Sequence, residues 1–294
     1  MMLRRSGSGD HGGDDVACFR LGEIDVSLRS ELPGPREDFA SLYRAFTIDR
    51  RSVRNPIQME VRRAGRLGRR FVIVGDGEPI GHPVRRNEVM PFLEWGVNWR
   101  VIARFPQFLQ LHAATLARRG HGVIFSGSSG RGKSTLAAAL MARGWKYLSD
   151  EFALVHTRTL RLHPFPKAVC LKEGAFDVAG RLDLALWQHR YFIKALKGRV
   201  GYLCPFDVAP DPIAPPSPAR YVIFPRYVEK GEPHLLPLSR AEAVFSLAGS
   251  TMNHGAIGHR AVSIIADVVR GARCYILESG RIEPTCDLME ELVA

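Results

Sequence analysis

The chain of 294 residues is long enough for one large or two modest domains with a proper core. Its 46% hydrophobic and 24% charged residues are ordinary for a soluble globular protein, and no apolar run approaches the roughly 18 residues of a membrane-spanning helix, so no membrane partner is expected. A formal net charge of +11 attracts phosphate-bearing molecules of any kind, while five cysteines without a CxxC pair argue against a disulfide framework or a zinc site and point to the cytoplasm.

The opening MMLRRSGSGDHGGDD has basic residues with no apolar stretch behind them and reads as a disordered tail over 1–15 rather than a signal peptide. Val16 to Leu32 alternates apolar and polar residues, Arg36 to Phe46 has helical spacing, and Met59 to Gly75 reads as a hairpin turned by glycine. These make a small α+β domain over 16–105. Arg50 to Arg70 is the dense arginine run of the chain, and no aromatic residue interleaves with it as base stacking would want, so no nucleic acid is expected. A solvated basic hairpin is the favoured reading of that run and a surface for an anionic partner the other. Asn87 to Pro106 predicts a helix with Met90, Leu93, Val97 and Ile102 on its apolar stripe, and the boundary falls near residue 105.

The second half, 106–294, opens with two strand-like runs around Arg118-Arg119-Gly120. With Arg119-Gly120 as a two-residue turn, residues of matching offset pair across the hairpin and His112 lies opposite Gly127. On pattern alone, a lone strand histidine is at least as often structural as functional. Gly127, Gly132, Lys133 and Ser134 then fit G-x-x-x-x-G-K-[ST], between an apolar strand and a helix closed by Gly144. Glycines there let successive N–H groups converge on an anion at a helix N-terminus. The cradle runs through Gly127, Ser128, Ser129, Gly130, Arg131, Gly132, Lys133, Ser134 and Thr135, with Lys133 reaching the β/γ-phosphates of a nucleotide and Ser134 ligating Mg²⁺.

After the helix a short strand delivers Asp150 and Glu151 and continues extended; alternation predicts opposite faces, one carboxylate toward metal or substrate and its neighbour toward structure. Cys204 to Arg220 is a Pro-rich loop. His254 and His259 lack HExxH spacing and read as a histidine-rich turn, and Asn253 reads as a helix cap ahead of a substrate ligand. The C-terminal CYILESGRIEP predicts a hairpin turning at Ser279-Gly280.

The stretch from His112 through Val155 resembles the catalytic domain of HPr kinase/phosphorylase and its bacterial relatives, the HPr-kinase-like serine kinases. Members have a histidine ahead of the P-loop at the spacing of His112 and an acidic pair behind it at the spacing of Asp150-Glu151. The resemblance implies an α/β P-loop kinase domain of the HPr kinase/phosphoenolpyruvate carboxykinase-like type, which uses ATP and Mg²⁺ to phosphorylate serine on a small protein or peptide. Some members also remove the phosphate with inorganic phosphate or use pyrophosphate. It implies that Lys133 and Ser134 hold phosphate and metal, that His112 lies near the transferred phosphoryl group, and that Asp150 is the first acid and a metal ligand. Glu151 stands where the family has the aspartate that accepts the acceptor's proton. Glu173 is the further candidate metal ligand, and Arg226, with Lys172 behind it, the candidate catalytic arginine. The N-terminal unit does not resemble that of the HPr enzyme. A small-molecule or sugar kinase, and a nucleotide-binding regulatory module without turnover, therefore stay open beside a kinase with a peptide or small-protein acceptor. Self-association into a homo-oligomer is left open.

Overall fold

The computed structural model describes residues 16–294 apart from 66–68 and 196, so the tail expected over 1–15 lies outside the described residues. The alternating segment becomes β1 (Val16–Leu21) and β2 (Ile24–Ser30), an antiparallel pair. Between them Gly22 has φ +67°, and a Cβ there would fall 2.0 Å from the carbonyl oxygen of Pro164. Only glycine allows that turn, which seats the first sheet against the second half of the chain. Helix α1 (Pro33–Leu42) follows, and β3 (Ile57–Arg63), β4 (Arg70–Gly75) and β5 (Glu78–Arg85) complete a five-stranded sheet in sequential order. Helix α2 (Val89–Arg104) packs on this sheet through Met90, Leu93, Val97 and Val101, all buried; Val101, rather than the predicted Ile102, completes the stripe. Each such side chain contributes about 1.5–3 kcal/mol. The same helix buries two polar residues one turn apart, Glu94 and Asn98.

Next come β6 (Phe108–Arg118), β7 (His121–Ser126), α3 (Lys133–Ala142), β8 (Lys146–Ser149), β9 (Phe152–His156) and β10 (Arg161–His163). Strands β6 and β7 pair from Ala113 opposite Ser126 to Arg118 opposite His121, the register predicted from the turn. Arg119 (φ +52°) and Gly120 (φ +77°) are both left-handed, as a primed two-residue turn requires. The chain continues through β11 (Val169–Lys172), α4 (Phe176–Arg181), β12 (Phe192–Lys194), β13 (Gly198–Leu203) and α5 (Pro205–Val208). It ends with β14 (Ser217–Tyr227), β15 (His234–Pro237), α6 (Arg240–Ala248), α7 (His254–Ile257), α8 (Arg260–Arg270), β16 (Arg273–Ser279) and α9 (Ile282–Leu292).

The result is a mixed α/β fold with three sheets among the described residues. The largest has the order β10-β9-β6-β7-β14-β16-β15, with β8 also on β6, and within it β7, β14 and β16 are parallel. A small sheet has the order β11-β13-β12. The apolar core beneath the first sheet runs on into the second half, because Phe108, Phe152, Phe165 and Trp187 pack in one cluster with Phe19, Phe39 and Val97.

Two expectations are corrected here. The C-terminal hairpin at Ser279-Gly280 does not form; β16 lies between β14 and β15, and the chain then enters α9, whose Thr285, Cys286 and Met289 are buried at helical spacing. Gly280 marks a close backbone approach instead, since a Cβ there would meet the Val228 carbonyl oxygen at 2.1 Å. Asn253 stands at the N-cap of α7 without capping it. Its side chain accepts from the Gln110 N–H (3.0 Å) and donates to the Phe108 carbonyl (2.8 Å), pinning the start of β6.

Candidate active site

The cavity of interest, about 670 Å³, opens at the carboxyl ends of the parallel strands β7, β14 and β16. That is where α/β sheets place ligands, because loops and helix N-termini gather there. The loop after β7 contributes Ser129 to Gly132 and leads into α3. Gly130 (φ +90°) and Gly132 (φ +82°) are left-handed with open space where a Cβ would sit, so backbone conformation rather than crowding selects glycine. Lys133, Ser134 and Thr135 also line the cavity. Lys133 is buried and donates to the carbonyls of Gly127 (2.6 Å) and Ser128 (3.1 Å), folded back on its own loop. Burial lowers its pKa against the pull of Asp150. Arg131 donates to Ser128 Oγ at 3.3 Å, and Lys172 to Ser129 Oγ at 3.1 Å.

Asp150 and Glu151 do not continue a strand. They fall in the break between β8 and β9, and both line this one cavity, so the opposite-face expectation does not hold. Their environments differ sharply. Burial first, then the charge of Glu151, pushes Asp150 up to about 6, while the Ser134 hydroxyl and the Cys170 N–H beside it pull the other way. Its Oδ1 is buried and has no hydrogen-bond partner. For Glu151, burial works upward, but Lys194, Lys167 and Lys197 outweigh it and hold the carboxyl at about 2. Lys194 pairs with Glu151 at 3.3 Å, and Asn98 Nδ2 donates to its other oxygen.

Behind Glu151 lies a buried polar chain. Lys167 Nζ donates to Asn98 Oδ1 (2.6 Å) and to the Glu94 carbonyl (2.9 Å), and pairs with the Glu94 carboxylate (2.8 Å). Tyr43 donates to the same carboxylate at 2.6 Å. All three ammonium donors of Lys167 have acceptors, which offsets the desolvation of a buried ion pair. Residues of the N-terminal half therefore hold the site's carboxylate in place.

His112 is half-buried, lines the cavity, and has a pKa lowered by burial and then by Lys133. Arg226, at the carboxyl end of β14, also lines it, exposed and paired with Glu278 at 2.9 Å. Glu173 is not brought in: it is exposed, pairs with Arg199 at 2.8 Å and lies outside the cavity lining, which removes the geometric ground for it as a metal ligand. Sequence reasoning missed Lys194, Lys197, Asn98, Glu94 and Lys167. A signal existed for two of them, since Glu94 and Asn98 interrupt the apolar face of α2 one turn apart.

Among the described residues no three His, Cys, Asp or Glu side chains gather as a metal cluster. The Ser134 hydroxyl beside the unpartnered Asp150 oxygen nonetheless fits a magnesium ion that takes its remaining ligands from phosphate and water.

A family model described as SynChlorMet cassette protein ScmC matches residues 96–184, a segment that holds His112, the glycine-rich loop from Gly127 to Ser134, and Asp150 and Glu151. No curated protein matches the chain. Among solved structures the chain is similar to the Hpr(Ser) kinase/phosphatase from Coxiella burnetii, at 16% identity over 63% of this chain and 93% of that one, with a TM-score of 0.31. Among the described residues no helix is long and apolar enough to cross a membrane.

Proposed function

We propose that the chain is a phosphotransferase of the HPr-kinase-like P-loop type, which passes the γ-phosphoryl group of ATP to a serine-type hydroxyl of a peptide or small protein. The observation that carries this reading is the convergence of Lys133, Ser134, Asp150, Glu151 and His112 on one cavity at the end of the parallel strands. The serine-type acceptor rests on the sequence resemblance over His112 to Val155.

Phosphoryl transfer asks a protein mainly to position reactants and neutralise charge. The N–H groups opening α3 cradle the nucleotide's phosphates, and Lys133 leaves the Gly127 and Ser128 carbonyls to reach them. Ser134 and Asp150 are the residues that would hold magnesium, which when bound neutralises charge on the phosphate oxygens. Glu151, kept ionised by Lys194, takes the hydrogen of the acceptor hydroxyl. In a loose transition state the bond to the acceptor forms late, so orienting that hydroxyl matters more than a strong base. His112, whose pKa burial lowers, lines the cavity to hydrogen-bond the group in transfer, and Arg226 supplies positive charge from β14.

Intact-mass analysis of candidate acceptor peptides and proteins, incubated with the chain, ATP and Mg²⁺, tests this. A gain of one phosphoryl group on a hydroxyl residue is expected. ATP binding without consumption in the presence of any acceptor would instead mean a nucleotide-binding module, and transfer to sugars alone a small-molecule kinase.

A further inference from the structure

A second cavity, about 560 Å³, lies between the first sheet with α2 and the Arg190–Phe192 segment, outside the Lys133 cavity and within the size range of small-molecule pockets. Arg69, Arg70, Arg85, Arg86 and Arg190 line it, and Asp38 is the one carboxylate among its lining residues. Asp38 is taken by Arg190; among the described residues the other four arginines have no ion-pair partner. Arg70 and Arg85 are direct cross-strand partners in the β4–β5 ladder. Like charges in that position repel, so the sheet carries an unfavourable pair that an anion would convert to a favourable one. Arg86 is exposed, and its guanidinium lies over Gly34, with Nη2 2.4 Å from where a Cβ there would be. Arg190 is held between Asp38 and the faces of Trp187 and Phe192, 5.4 Å from each ring centre. The floor is apolar and buried: Val89, Met90 and Phe192.

We propose that this cavity is a second anion site, which takes a small molecule carrying two or more phosphate groups. Guanidinium forks match phosphate oxygens two at a time. Five arginines against one aspartate leave an excess that about two phosphates neutralise, each bearing roughly −1.5 to −2 at neutral pH. The apolar floor suits the body of such a molecule. Arg69 and Arg70, at the end of the arginine run, supply part of this wall, and the inference stands whether or not the Lys133 cavity is a kinase site.

Inorganic pyrophosphate is the probe, titrated by calorimetry into the full chain carrying Lys133→Ala, which disables the P-loop. One pyrophosphate site is expected to remain. Adding Arg70→Gln and Arg86→Gln should weaken it about tenfold or more per guanidinium removed. Arg70→Lys with Arg86→Lys should recover part of the loss, because charge returns without the fork. Replacing exposed Arg50 and Arg51 by glutamine, which removes equal charge outside the cavity, should change nothing. No pyrophosphate binding in the Lys133→Ala chain, or equal losses from the two pairs, would overturn the site. Co-sedimentation with phosphatidic acid vesicles that needs Arg70 and Arg86, without binding of pyrophosphate, would overturn the small-molecule assignment in favour of a lipid headgroup.

Discussion

Asp150→Asn tests the buried carboxylate to which the proposed function assigns the metal. In the ligand-free protein Asp150 is 5% exposed, its Oδ1 lacks a partner, and its pKa stands at about 6 against 3.8 for an unperturbed group. Because the folded-state pKa is the higher one, the folded protein binds the extra proton between those values. Stability from that proton is fully present below about pH 4 and is lost as the pH rises through about 6, a difference of about 3 kcal/mol. Asparagine has no charge to desolvate and can still face the Cys170 N–H. The variant should therefore be more stable than the wild type by up to about 3 kcal/mol near pH 8, a rise in Tm of roughly 6–12 °C, and no more stable near pH 4. If Asp150 holds magnesium as proposed, Mg²⁺ and ATP should reverse the order, because the wild type gains binding free energy that the variant largely forfeits. Thermal unfolding across that pH range, with and without Mg²⁺ and ATP, reads both effects. A variant less stable than wild type near pH 8, or a difference independent of pH, would refute the buried-carboxylate reasoning. Full transfer activity with normal Mg²⁺ dependence would refute the metal-holding role.

Lys133→Ala should weaken ATP binding by about 10²-fold or more, since the proposed function has this lysine leave the loop carbonyls for the β/γ-phosphates; unchanged affinity by calorimetry would make the loop incidental. His112→Ala should leave ATP affinity nearly intact and slow transfer on the order of 10²-fold, whereas an unstable variant with normal specific activity would show a structural histidine. Glu151→Gln should cut transfer steeply with ATP still bound, and Lys194→Met, by removing the strongest cation opposing burial, should raise the Glu151 pKa so that activity is lost at a higher pH on acidification. An unmoved acid limb in the Lys194→Met pH profile would break that link. Asn98→Leu removes a hydrogen bond to the ionised Glu151 from 53 residues away and should lower kcat about tenfold or more with little change in KM for ATP; a normal kcat would make Asn98 merely structural.

Local pattern determined a good deal of this protein by itself. The glycine-rich loop ahead of Lys133, the strand and helix around it, and the β6–β7 register follow from short-range rules: glycines where φ must be positive, a two-residue turn that fixes which residues face each other, and an apolar stripe at helical period. Those rules act within a few residues, so a single sequence displays them. They brought Lys133, Ser134 and His112 toward one place before any fold was known. They misjudged the end of β16, where a Ser-Gly pair resembles a hairpin turn but the following apolar residues recur at helical spacing and bury as α9. They also misjudged Asp150 and Glu151, whose alternation holds only if the strand is unbroken. The tertiary structure alone decided what tunes these carboxylates: Lys194 and Asn98 reach Glu151 from 43 and 53 residues away, and Lys167 links α2 to the site across 69. Pairings of that span come from how the sheets and α2 pack, and a buried charge takes its pKa and its role from whichever partners packing delivers, which no local pattern encodes.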